Sequence, residues 1–366
     1  MALIAAWLFA GVVAVLLAWK YGVERRRSAS KPRSSTPTLE TARNEKAGGG
    51  CPAFNIEPMP EFKWEETDPL QFRPWKPTYY ITMAIQNSSP SDLITMDSNY
   101  KDRVEYRRDI IAKHPKIVHG HVPAGVEHVQ ELYEYMLGDY LPKRFPTMFS
   151  VSADGKTFHN KVTGAEYPLP SMDDTDAMLA ALGETVEDDI FTLRHTEQGH
   201  QSTAFVCVHC SGFDPSKKLG VLMSEIHEPV PGYEKIGASM ERFFTRLEVG
   251  KSVKRVNWSI VTTPELYNCF GNHIHDGEAF EEDEDVDIDN TFMRIELQTL
   301  SRLPKTQAIV FSFKTYMYPI KQVKDEGLGL QLAEAIEGLK KGNAPKMWMY
   351  KGGVRWGKSV LEYLRS

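Results

Sequence analysis

Arg294, Glu296 and Gln298 occupy alternate positions in residues 291–300, a run that otherwise reads as buried strand. Residues two apart on a strand point to the same face, so one face carries a cation, an anion and an amide. The opposite face is Met293, Ile295 and Leu297. A strand face bearing polar side chains is normally wet, which restricts how this run can be buried. Residues 254–260, with Arg255, Asn257 and Trp258, and residues 220–231, with His227, repeat the pattern of ionisable groups beside apolar or aromatic ones. Three such strands could line one polar-decorated cavity.

The rest of the chain allows a fold of that size. Its 366 residues suffice for one large or two ordinary domains, and 25% charged and 42% apolar residues are ordinary for a globular protein. A net charge of −6 leaves no excess of Lys and Arg to neutralise phosphates, so nucleic acid is not an expected partner. Four cysteines in a chain this long make no disulfide framework and favour a reducing compartment.

Residues 2–19 carry no charge and would span roughly 27 Å as a helix at about 1.5 Å per residue, enough for a thin bilayer. Trp7 and Trp19 would be interfacial anchors, and Lys20, Arg25, Arg26 and Arg27 follow. The expectation is a single-pass transmembrane anchor over residues 1–22 with the body in the cytosol, at the endoplasmic reticulum in preference to the mitochondrial surface. A cleaved signal peptide fits less well, because no basic region precedes the apolar run. Residues 23–57, rich in Ser, Pro, Thr and charge, read as a flexible linker, and residues 58–366 as the folded body.

Within the body, apolar spacing predicts helices over residues 100–112, 126–137 (with Gly138 as C-cap), 331–341 and 358–365. Strands are expected over residues 204–209, 219–227, 253–262, 292–300 and 308–318. Their connections are too variable for βαβ repeats, so the fold class is α+β, a mostly antiparallel sheet with packed helices. Residues 276–290 hold nine acidic residues and read as a solvated, mobile insertion without a calcium-loop pattern.

His227 precedes Glu228-Pro-Val-Pro-Gly232, where two prolines stiffen the backbone. A rigidly held imidazole suits axial ligation of haem iron or general-base work; the bland alternative is a hydrogen-bonded histidine at a strand edge. Arg294 and Glu296 could equally be a structural ion pair. Period 2 separates Arg255 and Asn257 from Trp258, so both sets share one cavity only if a bulge intervenes. Cys207-Val-His-Cys210, even joined by Cys269, His273 and His275, is a weak zinc pattern. The sequence contains no Walker loop, dinucleotide Gly-x-Gly-x-x-Gly or Gly-x-Ser-x-Gly elbow.

Taken in order, several segments resemble the α-subunit family of haem-dependent oxidative N-demethylase, or dimethylamine monooxygenase. They are Met83-Ala-Ile, Leu93-Ile-Thr-Met-Asp97-Ser-Asn-Tyr100, Arg107-Arg-Asp-Ile-Ile111, Ile226-His-Glu-Pro-Val-Pro-Gly232 and Arg255-Val-Asn-Trp258, followed by Arg294-Ile-Glu-Leu-Gln-Thr-Leu-Ser-Arg-Leu-Pro304 with Ile309-Val-Phe-Ser-Phe-Lys-Thr-Tyr316. The resemblance covers roughly residues 58–350. It implies a PAS-like antiparallel sheet wrapped by helices and holding one haem b. It also implies monooxygenase chemistry on a methyl group of a small secondary amine, with electrons from NADPH through a partner reductase. Carried onto this chain, it makes His227 the haem-iron ligand and places Glu296 on the distal side to hold a cationic amine. Trp258 would be a second catalytic-pocket residue, and Arg255 and Arg294 cofactor-binding ones. Two other functions compete: a haem-binding sensor or carrier without turnover, and a haem-free scaffold at the cytosolic face.

Overall fold

The computed structural model describes residues 54–274 and 278–366, and among these residues ten strands form two sheets. In chain order they are β1 (Gln86–Ser88), β2 (His119–His121), β3 (Phe149–Val151), β4 (Thr157–Asn160), β5 (Glu166–Pro168), β6 (Asp189–Thr196), β7 (Gly199–Val206), β8 (Ser252–Val261), β9 (Phe292–Arg302) and β10 (Ile309–Pro319). The large sheet runs β1-β8-β9-β10-β6-β7-β2 with every pair antiparallel. Strands β3, β4 and β5 form the small one.

Alternation in β9 decides how the large sheet is used. Met293, Ile295 and Leu297 turn to one face and pack with Ile260, Tyr316 and Tyr318 under the helices Gly329–Glu337 and Gly353–Arg365. Register sets Asn257 opposite Glu296 and Glu296 opposite Thr315; one pair along, Arg255 faces Gln298 and Gln298 faces Phe313. Polar side chains of three strands are thereby stacked on the face away from that core.

A second core gathers the helices Tyr100–Lys113, Val126–Tyr135 and Thr175–Gly183. Arg107 is buried there and donates to the carbonyls of Gly183 (2.7 Å), Glu187 (3.0 Å) and Asp188 (3.0 Å), and to Asp189 Oδ1 at 2.7 Å. Asp189 in turn accepts from the backbone N–H groups of Val208 and His209. One satisfied ion pair thus ties a helix to the start of β6 and the exit of β7.

The last helix approaches its neighbour closely. A Cβ on Gly353 would lie 2.5 Å from the Trp348 ring and one on Gly357 2.2 Å from it, so only glycine admits that indole. The contact holds the turn Met347–Tyr350, and Lys351 after it, against the sheet.

Several expectations are corrected. The segment 1–22, read as a membrane anchor, lies outside the described residues, and among the described residues no helix is long and apolar enough to cross a membrane. The fold class is therefore α+β with a large antiparallel sheet. Neither the spanning helix nor the single-pass placement at the endoplasmic reticulum or mitochondrial surface has structural support. Phe54 and Ile56, at the end of the expected linker, are buried in the helical core, so the body includes them.

Residues 219–227 are not a strand. Met223–Ile226 is one helical turn, because Leu222, Met223 and Ile226 match helical spacing as well as alternation. Gly138 is no C-cap: Val126–Tyr135 continues into a π turn, Met136–Tyr140. The acidic insertion docks, with Val286 and Ile288 packed on the core, Asp283 N–H donating to Val354 O and Ser359 Oγ to Glu284 O.

Candidate functional site

The polar face of the large sheet opens into a cavity of about 950 Å³. Arg255, Asn257, Glu296 and Gln298 form one wall, beside the apolar rings of Phe191, Phe311 and Phe313. His227 and Met223 face them from the helical turn, and Tyr79, Tyr350 and Lys351 close a further side. Volume and mixed lining are those of a site for a ligand of cofactor size.

His227 caps the turn Met223–Ile226, and its Nδ1 lies 2.9 Å from the Met223 carbonyl. A carbonyl only accepts, so Nδ1 carries the proton and Nε2 the lone pair. The ring stacks on Tyr233 with centroids 5.0 Å apart and planes at 14°. Burial, with Arg255 and Lys218 adding to it, holds the imidazole below its usual pKa, against the hydrogen bond to Met223. The local sequence explains the geometry. Pro229 disfavours helical backbone at Glu228 and stops the turn, leaving His227 at its end.

Glu296 is held by amides. Gln298 Nε2 (2.9 Å) and Asn257 Nδ2 (3.3 Å) both donate to its Oε2, and neither engages Oε1. Lys351 Nζ reaches Asn257 Oδ1 at 3.4 Å and also donates to the Trp258 carbonyl. Burial pushes the Lys351 amine down to about 8; Glu296 opposes the shift and Arg255 adds to it. Burial likewise lowers Arg255, against Tyr79 and Glu296, and its Nε is buried with no hydrogen-bond partner. Partial burial, with Glu296 and Tyr79 adding to it, pushes half-buried Tyr350 up to about 12.

The structure brings His227, Arg255 and Glu296 to one cavity and leaves two expected residues out. Trp258 lies on the other sheet face, opposite Ile295, packed among Ile81, Met347 and Trp348; no bulge reverses it. Only its carbonyl contributes, through Lys351. Arg294 is buried beyond the cavity lining, donating to the His209 carbonyl and to Thr315 Oγ1, and among the described ion pairs none joins it to Glu296. Sequence reasoning missed Lys351, Tyr350, Tyr79 and Phe191. The one signal was the dense aromatic run Met347-Trp-Met-Tyr-Lys351, whose destination a sequence does not reveal.

The cavity lies wholly within the part of the chain from Tyr79 to Arg355. The family model described as "Haem-dependent oxidative N-demethylase, alpha subunit-like" matches residues 84–361, which spans nearly all of it. On that match the chain belongs to the haem-dependent oxidative N-demethylase alpha subunit-like family.

Proposed function

We propose that the cavity binds one haem b through His227 and that the protein is a haem-dependent oxygenase acting on a small amine held by Glu296. The observation that carries this reading is the His227 imidazole: neutral by burial, its Nδ1–H fixed on Met223 O and its Nε2 lone pair left to ligate. A histidine presented to metal has this second hydrogen bond, which sets the tautomer and the ring orientation. Arg255 supports the same reading. Its partnerless buried Nε suits an anionic neighbour, and the propionates of haem b are of that kind. Phe191, Phe311 and Phe313 offer flat apolar surface beside them.

Haem held there would supply redox chemistry on O₂, with electrons drawn from NADPH through a partner reductase. The protein's own part is binding and orientation. Both amide donors meet Glu296 at Oε2, so Oε1 is available for a charge-assisted bond to an ammonium.

The test is an absorption spectrum of the full chain expressed with a haem precursor, followed by amine-dependent O₂ consumption with a reductase. A Soret band lost or strongly shifted in His227→Ala supports the first half. Glu296→Gln should keep the band and lower turnover about 100-fold, the scale of losing one transition-state charge contact. No haem after reconstitution removes the whole reading and leaves the scaffold.

A second reading, haem binding without turnover, draws on Lys351. Its ammonium reaches Glu296 through Asn257, so the carboxylate already has a cation near it. Haem retention without amine-dependent O₂ uptake would select this reading.

A further inference from the structure

The Cys207-Val-His-Cys210 motif takes no part in the site above. Among the described residues no group of three or more His, Cys, Asp or Glu is placed to hold a metal, and His275 lies outside them. The motif's two thiols go different ways. Cys207 Sγ donates to Asp189 Oδ2 at 3.6 Å, whereas Cys210 Sγ lies 2.9 Å from the Sγ of Cys269, 59 residues further along the chain. That separation is less than about 1 Å longer than a disulfide bond.

The backbones around the pair are already joined. Asn268 N–H donates to Cys210 O at 3.1 Å, Gly212 N–H to Asn268 O at 2.8 Å, and Asn272 Nδ2 to Ser211 Oγ at 2.6 Å. Little backbone movement separates the two thiols from a bond. Their surroundings differ: Cys210 is fully enclosed, while Cys269 is 7% exposed and belongs to the cavity wall with Phe270, Gly271, His273 and Ile274.

We propose that Cys210 and Cys269 form a reversible, peroxide-sensitive disulfide that staples the cavity wall at residues 267–274 to the segment leaving β7. The oxidant is hydrogen peroxide, small enough to reach Cys269 through the cavity. The Cys269 thiolate takes one oxygen from peroxide, the O–O bond breaks, and Cys269 becomes a sulfenic acid as water forms with the thiol proton. The Cys210 sulfur then attacks the Cys269 sulfur. The S–S bond forms, the S–O bond breaks, and the leaving hydroxide departs as water with the Cys210 proton. Two thiols lose two electrons and one peroxide becomes two waters; a dithiol reductant reverses the change.

The order of attack follows from the surroundings. Cys269 stands at the cavity wall and Cys210 is enclosed behind it. Burial, and then the hydrogen bond to Cys269, also push the Cys210 thiol up, which leaves it the poorer nucleophile for peroxide. In the stapled form the wall carrying Phe270, 75% exposed at the rim, is tied covalently to the segment that leaves β7.

The test treats the full-length protein with a small excess of hydrogen peroxide and maps peptides without reduction. The expected product joins peptides containing Cys210 and Cys269, persists in Cys207→Ser and is absent from Cys210→Ser and Cys269→Ser. Proteolysis between residues 262 and 274 should slow about tenfold on oxidation and recover with dithiothreitol. A Cys207–Cys210 link, or Cys269 running on to sulfinic acid unlinked, overturns the proposal. Unchanged proteolysis overturns the stapling. Should either serine variant fail to fold, trapping sulfenic acid in the wild type decides: Cys269 as the labelled residue supports the assignment and Cys210 contradicts it.

Discussion

Asn257 and Glu296 stand directly opposite each other across β8 and β9, and the Asn257 amide donates to the Glu296 carboxylate at 3.3 Å. The same side chain accepts from Lys351 through its Oδ1, so one neutral residue links the carboxylate of β9 to a buried cation. Asn and not Asp serves here because one end must donate and the other accept.

Replacing Asn257 should loosen Glu296 without touching the His227 side of the cavity. In Asn257→Ala the carboxylate keeps one amide donor, from Gln298, and loses its fixed orientation. Steady-state assays with a small amine and a reductase are expected to give a KM raised about tenfold, the scale of one charge-assisted hydrogen bond, with an unaltered haem spectrum.

Lys351 gives the fold a pH dependence that can be isolated. Its amine titrates at about 8 in the folded protein, against an ordinary 10.5, so between those values the unfolded chain binds more protons. Stability must then rise with pH across that window, and the penalty of burying the charge, about 3 kcal/mol, is fully present below about pH 8. Lys351→Met should therefore raise the urea midpoint at pH 7. The difference from wild type should shrink as pH climbs from 8 towards 10.5; a constant difference would refute the charge-burial account.

The indole of Trp348 lies where side chains at Gly353 and Gly357 would be. Gly357→Ala is expected to destabilise the protein by about 2 kcal/mol through overpacking, read as a lower Tm. In a Trp348→Ala background the same change should be nearly neutral, since the atoms it meets are gone.

Arg107 is the pin of the second core. Arg107→Met leaves the buried Asp189 carboxylate without its cation and three carbonyls without their donor. A loss of about 3–5 kcal/mol is expected, measured by chemical denaturation.

The long strands were legible because alternation is a property of neighbours in sequence. Residues 292–300 and 308–318 read as strands and became β9 and β10, and the helix expected over residues 100–112 is Tyr100–Lys113. Strand β6 escaped notice although it lies inside the sheet, since Ile190-Phe-Thr-Leu193 is a short run between Asp189 and Arg194 with no alternating apolar face. Residues 219–227 failed for a related reason: five to nine residues with apolar members at both spacings do not distinguish a strand from a helical turn. The insertion at 276–290 looked like a solvated tract by charge alone, and docking through Val286 and Ile288 depends on a helix more than 60 residues away.

For the site, the sequence by itself determined which face of β9 would be polar, because period 2 puts Arg294, Glu296 and Gln298 together and Met293, Ile295 and Leu297 apart. The same rule already separated Trp258 from Arg255 and Asn257, and the sheet obeys it. Only the tertiary structure decided what that face meets. Register brought Asn257 to Glu296, a helical turn brought His227 across the cavity, and the glycine-lined Trp348 contact brought in Lys351. These meetings join residues up to 94 positions apart, and such distances are fixed by packing and strand pairing, which no local pattern encodes.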